Sequence, residues 1–244
     1  MTKWMKAMGV AVAAMVAGSA APLAAPGPAG LPDKAKYLSH LSAYMKVKWP
    51  RNRTINIVCH GHSVPAGYFK TPVVDTFNAY PHLLHVALKK RFPHAVINVI
   101  NTAVGGENSV SGAARFEKDV LGHRPDLITI DYALNDRGLG VDRARKALTS
   151  MLELARQKNV PVLLLTPTPD QSARLHDPGD KLNQQAQMIR ILAAAKGVGL
   201  VDSYAAFKAQ VQQGTPLKDL MSQVNHPNRA GHDLVVAELI KWFP

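Results

Sequence analysis

The sequence predicts a three-layer α/β/α sandwich built on one central parallel sheet. Three observations carry this. Short apolar runs of strand length alternate with longer segments that gather apolar residues on one helical face. Such β–α alternation places helices on both faces of a parallel sheet. The polar and glycine-rich residues fall just after the apolar runs, beyond the carboxyl ends of strands, where sheets of this kind bind ligands.

In chain order, residues 54–59 read as a first strand. Residues 77–92 form an amphipathic helix with Tyr80, Leu83, Leu84, Ala87 and Leu88 on one face. Residues 95–100 are a second strand and 110–121 a helix; 126–131 are a third strand and 142–158 a helix. A fourth strand at 160–165, a helix at 182–195 and a short strand at 199–202 follow. The last helix starts near Asn228, which is suited to capping it.

The chain has 244 residues, and residues 1–25 read as a signal peptide and leader. Lys3 and Lys6 precede an apolar stretch at about 7–17, and then come Gly18, Ser19, Ala20 and Ala21. The apolar run is shorter than the roughly 20 residues of a membrane span, and Pro22 interrupts it. Export to the periplasm or the extracellular space is expected, with cleavage near 20–25; an uncleaved anchor is the alternative. Residues 26–50 read as an N-terminal extension and 51–244 as one domain of ordinary size. Cys59 is the only cysteine, so it forms no intrachain disulfide and is expected as a small buried residue.

Formal net charge is +12, and losing Lys3 and Lys6 with the leader lowers it by two. Such a surface favours anionic partners, an acidic polysaccharide among them. The basic residues are spread along the chain and are not interleaved with aromatics, which make up only 6% of it. A nucleic-acid surface is therefore not expected, and after signal cleavage neither is stable membrane insertion. No Gly-x-Gly-x-x-Gly or Walker-type loop occurs, and His60 and His62 have no partner at ligand spacing, so no cofactor and no metal are expected.

Four short sites carry chemistry. Ser63 follows the first strand in a turn permitted by Gly61 and Gly67 and stiffened by Pro65, which presents its hydroxyl at the sheet edge. His226, biased to an extended backbone by Pro227, stands where it can face that turn and take the Ser63 proton. Gly105-Gly106 after the second strand can bring a backbone N–H close to a ligand, and Asn135 after the third offers a side-chain N–H. Acyl transfer needs such donors for its developing oxyanion.

Together these sites resemble the SGNH (GDSL-like) hydrolase family. The matching blocks are Gly61-His62-Ser63, Gly106 at the end of residues 101–106, Ala133-Leu134-Asn135-Asp136, and Gln223-Val224-Asn225-His226. The resemblance implies a flavodoxin-like α/β/α fold and ester hydrolysis through an acyl-enzyme. It makes Ser63 the nucleophile and His226 the base, with Ser63, Gly106 and Asn135 lining the oxyanion hole. It implies no metal. His62 replaces the family's Asp, Ala133 its Gly, and Gln223 stands where the triad acid belongs. Three arrangements stay open: Gln223 as a neutral acceptor, Asp219 as a displaced acid, or a dyad oriented by a backbone carbonyl. The expected substrate is a small-molecule or glycan ester. A lipase or thioesterase of the same fold, or a non-catalytic glycan-binding module derived from an esterase, are the alternatives.

Overall fold

The structure is a computed structural model that describes residues 30–244; the expected leader lies outside the described residues. Five parallel strands form the sheet in the order β2-β1-β3-β4-β5. They are β1 (Thr54–Gly61), β2 (Val96–Asn101), β3 (Leu127–Asp131), β4 (Val162–Leu165) and β5 (Gly199–Val201). The crossover after β2 carries the chain to the other side of β1, so the order reverses between β1 and β3, and a crevice opens there at the strand carboxyl ends.

Strand residues alternate between two cores, as the period of two requires. Ile55, Ile57 and Cys59 of β1 face one core with Leu127, Leu163 and Val201. Val58 of β1 faces the other with Ile128, Ile130, Leu164 and Leu200. The first core is covered by α4 (Tyr80–Arg91) and α9 (Arg229–Leu239), with Phe207 of α8 (Ser203–Gln212). The second is covered by α5 (Ser109–Asp119), α6 (Val141–Gln157) and much of α7 (Lys181–Lys196). Of the expected face of α4, Tyr80, Leu83, Leu84 and Leu88 are buried and Ala87 is half-buried. Cys59 is buried and unpaired, and burial pushes its thiol up to about 12.

Of the extension expected at 26–50, the described residues 30–50 pack against the domain. Two short helices, α1 (Lys34–Tyr37) and α2 (Ser39–Met45), set Leu38, Leu41 and Met45 into the first core. The Tyr37 hydroxyl donates to the Val162 carbonyl at 3.0 Å and accepts the Val162 N–H at 3.1 Å. The pattern of short runs did not reveal these helices, nor α8, nor the four-residue α3 (Ser63–Ala66). It also missed the small antiparallel pair β6 (Met221–Gln223) and β7 (His226–Pro227).

Candidate active site

The loops after β1, β2 and β3 meet at one end of the sheet. The His62 N–H donates to the Asp131 carbonyl at 3.2 Å and the Val104 N–H to the Gly61 carbonyl at 3.0 Å, which extends both ladders past the strands. Gly61 is needed for close approach rather than for the turn: a Cβ there would lie 2.4 Å from the Asp131 carbonyl oxygen. The turn itself relies on Gly67, at φ +93°, which ends α3 in a left-handed cap and donates to the Ser63 carbonyl at 3.1 Å.

Ser63 is thereby held almost buried at the start of α3. His226 reaches it from β7, with Nε2 3.0 Å from Ser63 Oγ. Pro227 extends the backbone at this point, and Asn228 caps α9 by accepting the Gly231 N–H at 3.1 Å. These two local features aim the imidazole. Burial lowers the His226 pKa, the Phe69 carbonyl opposes that, and His62 adds to the lowering.

At His226 Nδ1 the structure separates the three arrangements left open by the sequence. The Asp219 carboxylate is exposed and, among the described residues, makes no hydrogen bond or ion pair. It does not reach the imidazole. Asp219 acts through its backbone instead, accepting Asn228 Nδ2 at 2.8 Å. Gln223 does reach Nδ1, but with Nε2, at 2.7 Å, because its Oε1 accepts the Thr71 N–H at 3.0 Å. The Phe69 carbonyl lies 3.3 Å from the same nitrogen. A backbone carbonyl therefore stands where an imidazole N–H can donate. Among the described residues, no carboxylate contacts Nδ1.

Gly106 adopts φ +76° with open space on its Cβ side, so its backbone is accessible in the turn. Gly105 differs: the Tyr68 ring occupies the place of its missing Cβ, at 2.7 Å, and lies 5.8 Å from the His226 ring. Asn135 opens a 3-10 turn and donates Nδ2 to the Glu107 carbonyl at 2.8 Å, its second amide hydrogen unengaged among the described residues. Asp136 Oδ1 accepts the Ser109 N–H at 2.8 Å, binding this turn to the start of α5. Burial raises the Asp136 carboxyl, against the Ser109 hydrogen bonds and the nearby His62 ring.

Sequence reasoning missed Tyr68, and it allowed for an orienting backbone carbonyl without identifying Phe69 as its source. An aromatic two residues beyond a helix of four carries no periodic signal, and a backbone carbonyl carries none at all. It also missed what His62 does. His62 caps α3, its Nδ1 accepting the Val64 N–H at 3.2 Å. That is the capping task for which an Asp is well suited.

The fold is the α/β sandwich of SGNH esterases, and the chain belongs to the GDSL-like lipase/acylhydrolase family, whose profile matches residues 59–234. It is 22% identical over 166 residues to an acetylxylan esterase of Geobacillus stearothermophilus, across 63% of this chain and 75% of that protein. Among solved structures it superposes on Axe2, an acetylxylan esterase of the same organism. The TM-score is 0.68 at 20% identity, covering 81% of this chain and 96% of that one. It is also similar to CEX, a two-domain esterase active on acetylated mannans. There the TM-score is 0.66 at 23% identity, over 84% of this chain and 52% of that one.

Proposed function

We propose that this chain is an exported serine esterase that removes acyl groups, acetyl foremost, from a carbohydrate. The observation that carries the reading is the 3.0 Å contact between Ser63 Oγ and His226 Nε2 at the switch point of the sheet. Ser63 Oγ attacks the ester carbonyl carbon while its proton passes to His226 Nε2. The oxyanion is received by the N–H groups of Ser63 and Gly106 and by Asn135 Nδ2. Collapse expels the alcohol, which takes the proton from His226, and leaves an acyl-enzyme. Water then repeats the two steps and frees the acid.

The carbohydrate part rests on the acetylxylan and acetylmannan esterases the chain resembles and on its positive charge. Exposed Val104 and Val224, on turns two residues from Gly106 and His226, favour a second reading, a lipase or thioesterase. One experiment tests both. A fluorophosphonate should label Ser63, and Ser63→Ala should abolish labelling and hydrolysis while circular dichroism stays unchanged. Acetate release from acetylated xylo- and manno-oligosaccharides should exceed turnover of p-nitrophenyl octanoate. An active Ser63→Ala variant ends the serine reading; a preference for the octanoate ends the carbohydrate one.

A further inference from the structure

Ser63 Oγ lies between two imidazoles, and among the described residues only one of them is backed by a carboxylate. His226 Nε2 is 3.0 Å away and has none. His62 Nδ1 is 3.5 Å away, and on the other side of that ring Nε2 lies 3.4 Å from Asp131 Oδ1. Both side chains are buried, and neither facing atom has a hydrogen-bond partner among the described residues. Two buried polar atoms left with only each other are costly to keep, which marks the pair as worth explaining. The Val64 N–H donates to His62 Nδ1 at 3.2 Å, so the ring proton sits on Nε2 and faces Asp131. With its lone pair already engaged, His62 is not a second base.

We propose that Asp131 and His62 are positioning residues for the nucleophile. Together they supply, from the neighbouring strand, the negative charge that the missing acid at 223 does not. The inference rests on the serine-hydrolase reading of Ser63 and His226. Separately from the triad acid, the serine block of the family carries an Asp at position 62; here an imidazole fills that position and the carboxylate stands one ring further off, at the end of β3. In a buried setting a charge acts over such a distance, because little water screens it. It favours the imidazolium that His226 becomes as Ser63 attacks.

Other titratable groups face this cluster. Tyr80 of α4 and Cys59 of β1 face Asp131. His232 of α9 faces His226, with Asp75 beyond it. Asp136 lies near His62, with Oδ1 committed to the Ser109 N–H and burial raising its carboxyl. Asp131 is therefore the carboxylate in contact with the His62 ring.

The test is the pH–rate profile for p-nitrophenyl acetate. Asp131→Asn keeps the shape and removes the charge. It should lower kcat by about tenfold and move the acidic limb of kcat/KM down by about one unit, with KM little changed. A merely structural role would lower the melting temperature and leave the limb in place. An unmoved limb therefore overturns the proposal, whatever happens to kcat. If Asp131→Asn does not fold, His62→Asn keeps a good cap for α3 while cutting Asp131 off from the serine; unchanged kcat there overturns the proposal too. In the unmodified protein, nitrogen-15 NMR should find the His62 proton on Nε2, and a proton on Nδ1 is an independent refutation. If Ser63→Ala is inert while Asp131→Asn behaves as the parent, only this inference fails. If Ser63→Ala stays active, both readings fail.

Discussion

An imidazole that serves Ser63 as base needs its proton on Nδ1, and at Nδ1 of His226 two groups pull in opposite directions. The Phe69 carbonyl, at 3.3 Å, accepts that proton and leaves Nε2 free to act. The Gln223 amide nitrogen, at 2.7 Å, donates to a bare Nδ1 and so favours the tautomer with Nε2 protonated, which cannot accept from serine. Gln223 could offer its oxygen instead only by giving up the Thr71 N–H. A glutamate has the same length and two acceptors, one for Thr71 and one for His226. Gln223→Glu should therefore raise kcat by at least about tenfold, since a charged orienting group is worth up to about 10⁴ in such sites. The new charge should also move the acidic limb of kcat/KM upward from its present place below the usual imidazole value. Equal kcat in the two proteins would mean that the Phe69 carbonyl already orients the ring fully. Asn135→Ala, by contrast, should lower kcat by about 10²–10³ with KM little changed, the signature of a donor engaged only in the transition state. A pure KM effect would make Asn135 a substrate-binding residue.

The segment between β2 and α5 holds Gly106 and, through the Glu107 carbonyl, the side chain of Asn135. What fixes this segment is the Glu107 carboxylate. Arg115 of α5 grips it at 2.8 and 2.5 Å, and the Tyr132 hydroxyl donates to it at 2.7 Å. Burial pushes the Glu107 carboxyl up, but these hydrogen bonds and the Arg115 charge hold it below its usual value. Gly112 makes room for the arrangement, since a Cβ there would lie 2.2 Å from the Tyr132 ring. Glu107→Gln should loosen both proposed oxyanion donors at once. The expected outcome is about 1.5–3 kcal/mol of lost stability by urea melts and lower kcat at constant KM. Lost stability with intact kcat would show that the segment keeps its shape without the clamp. None of this network was legible in the sequence, for a physical reason. Arg115, Glu107 and Tyr132 come from different elements, so their meeting depends on how α5 lies on β3, which no local pattern encodes. The strands and long helices were legible because burial on one or two faces imposes a period on them. The landing places of Ser63, Gly106 and Asn135 followed, since each needs only a strand end and a short turn. α3 and the β6–β7 pair, at four, three and two residues, are too short to show a period. The stretch around Ser63 reads only as a turn, and His226 only as an extended residue before a helix.

Among the described residues four imidazoles are buried, and the two that do not contact Ser63, His60 and His232, are pushed furthest from their ordinary value. His60 projects from β1 against Thr102 and Tyr132, each at 3.0 Å. His232 lies in α9, its Nδ1 accepting the Tyr80 N–H at 3.2 Å at the start of α4, where the N-cap residue Ala79 offers no side-chain acceptor. Burial, aided by the Arg115 charge, pushes His60 down to about 4. Burial, aided by His226, pushes His232 down to about 3. In the unfolded chain both titrate near 6.5. Below that value the unfolded chain binds more protons than the folded one, so stability must fall with pH. The contribution is whole above about pH 6.5 and is lost as pH drops toward 4, at about 1.4 kcal/mol per unit for each histidine. The raised carboxyl of Asp136 works the other way, because in the fold it takes up its proton earlier, but only near and above its ordinary value of 3.8. From pH 6.5 to 5 these two histidines contribute most, the lowered His226 and His85 adding in the same direction, and urea melts should show a loss of about 3 kcal/mol or more over that interval. His60→Gln removes one titrating group and should cut the slope by about half, even if it lowers stability at pH 8. A profile from pH 8 to 5 that is flat in the parent protein would refute the assignment of both buried imidazoles as neutral. A slope untouched by His60→Gln would refute it for His60 alone.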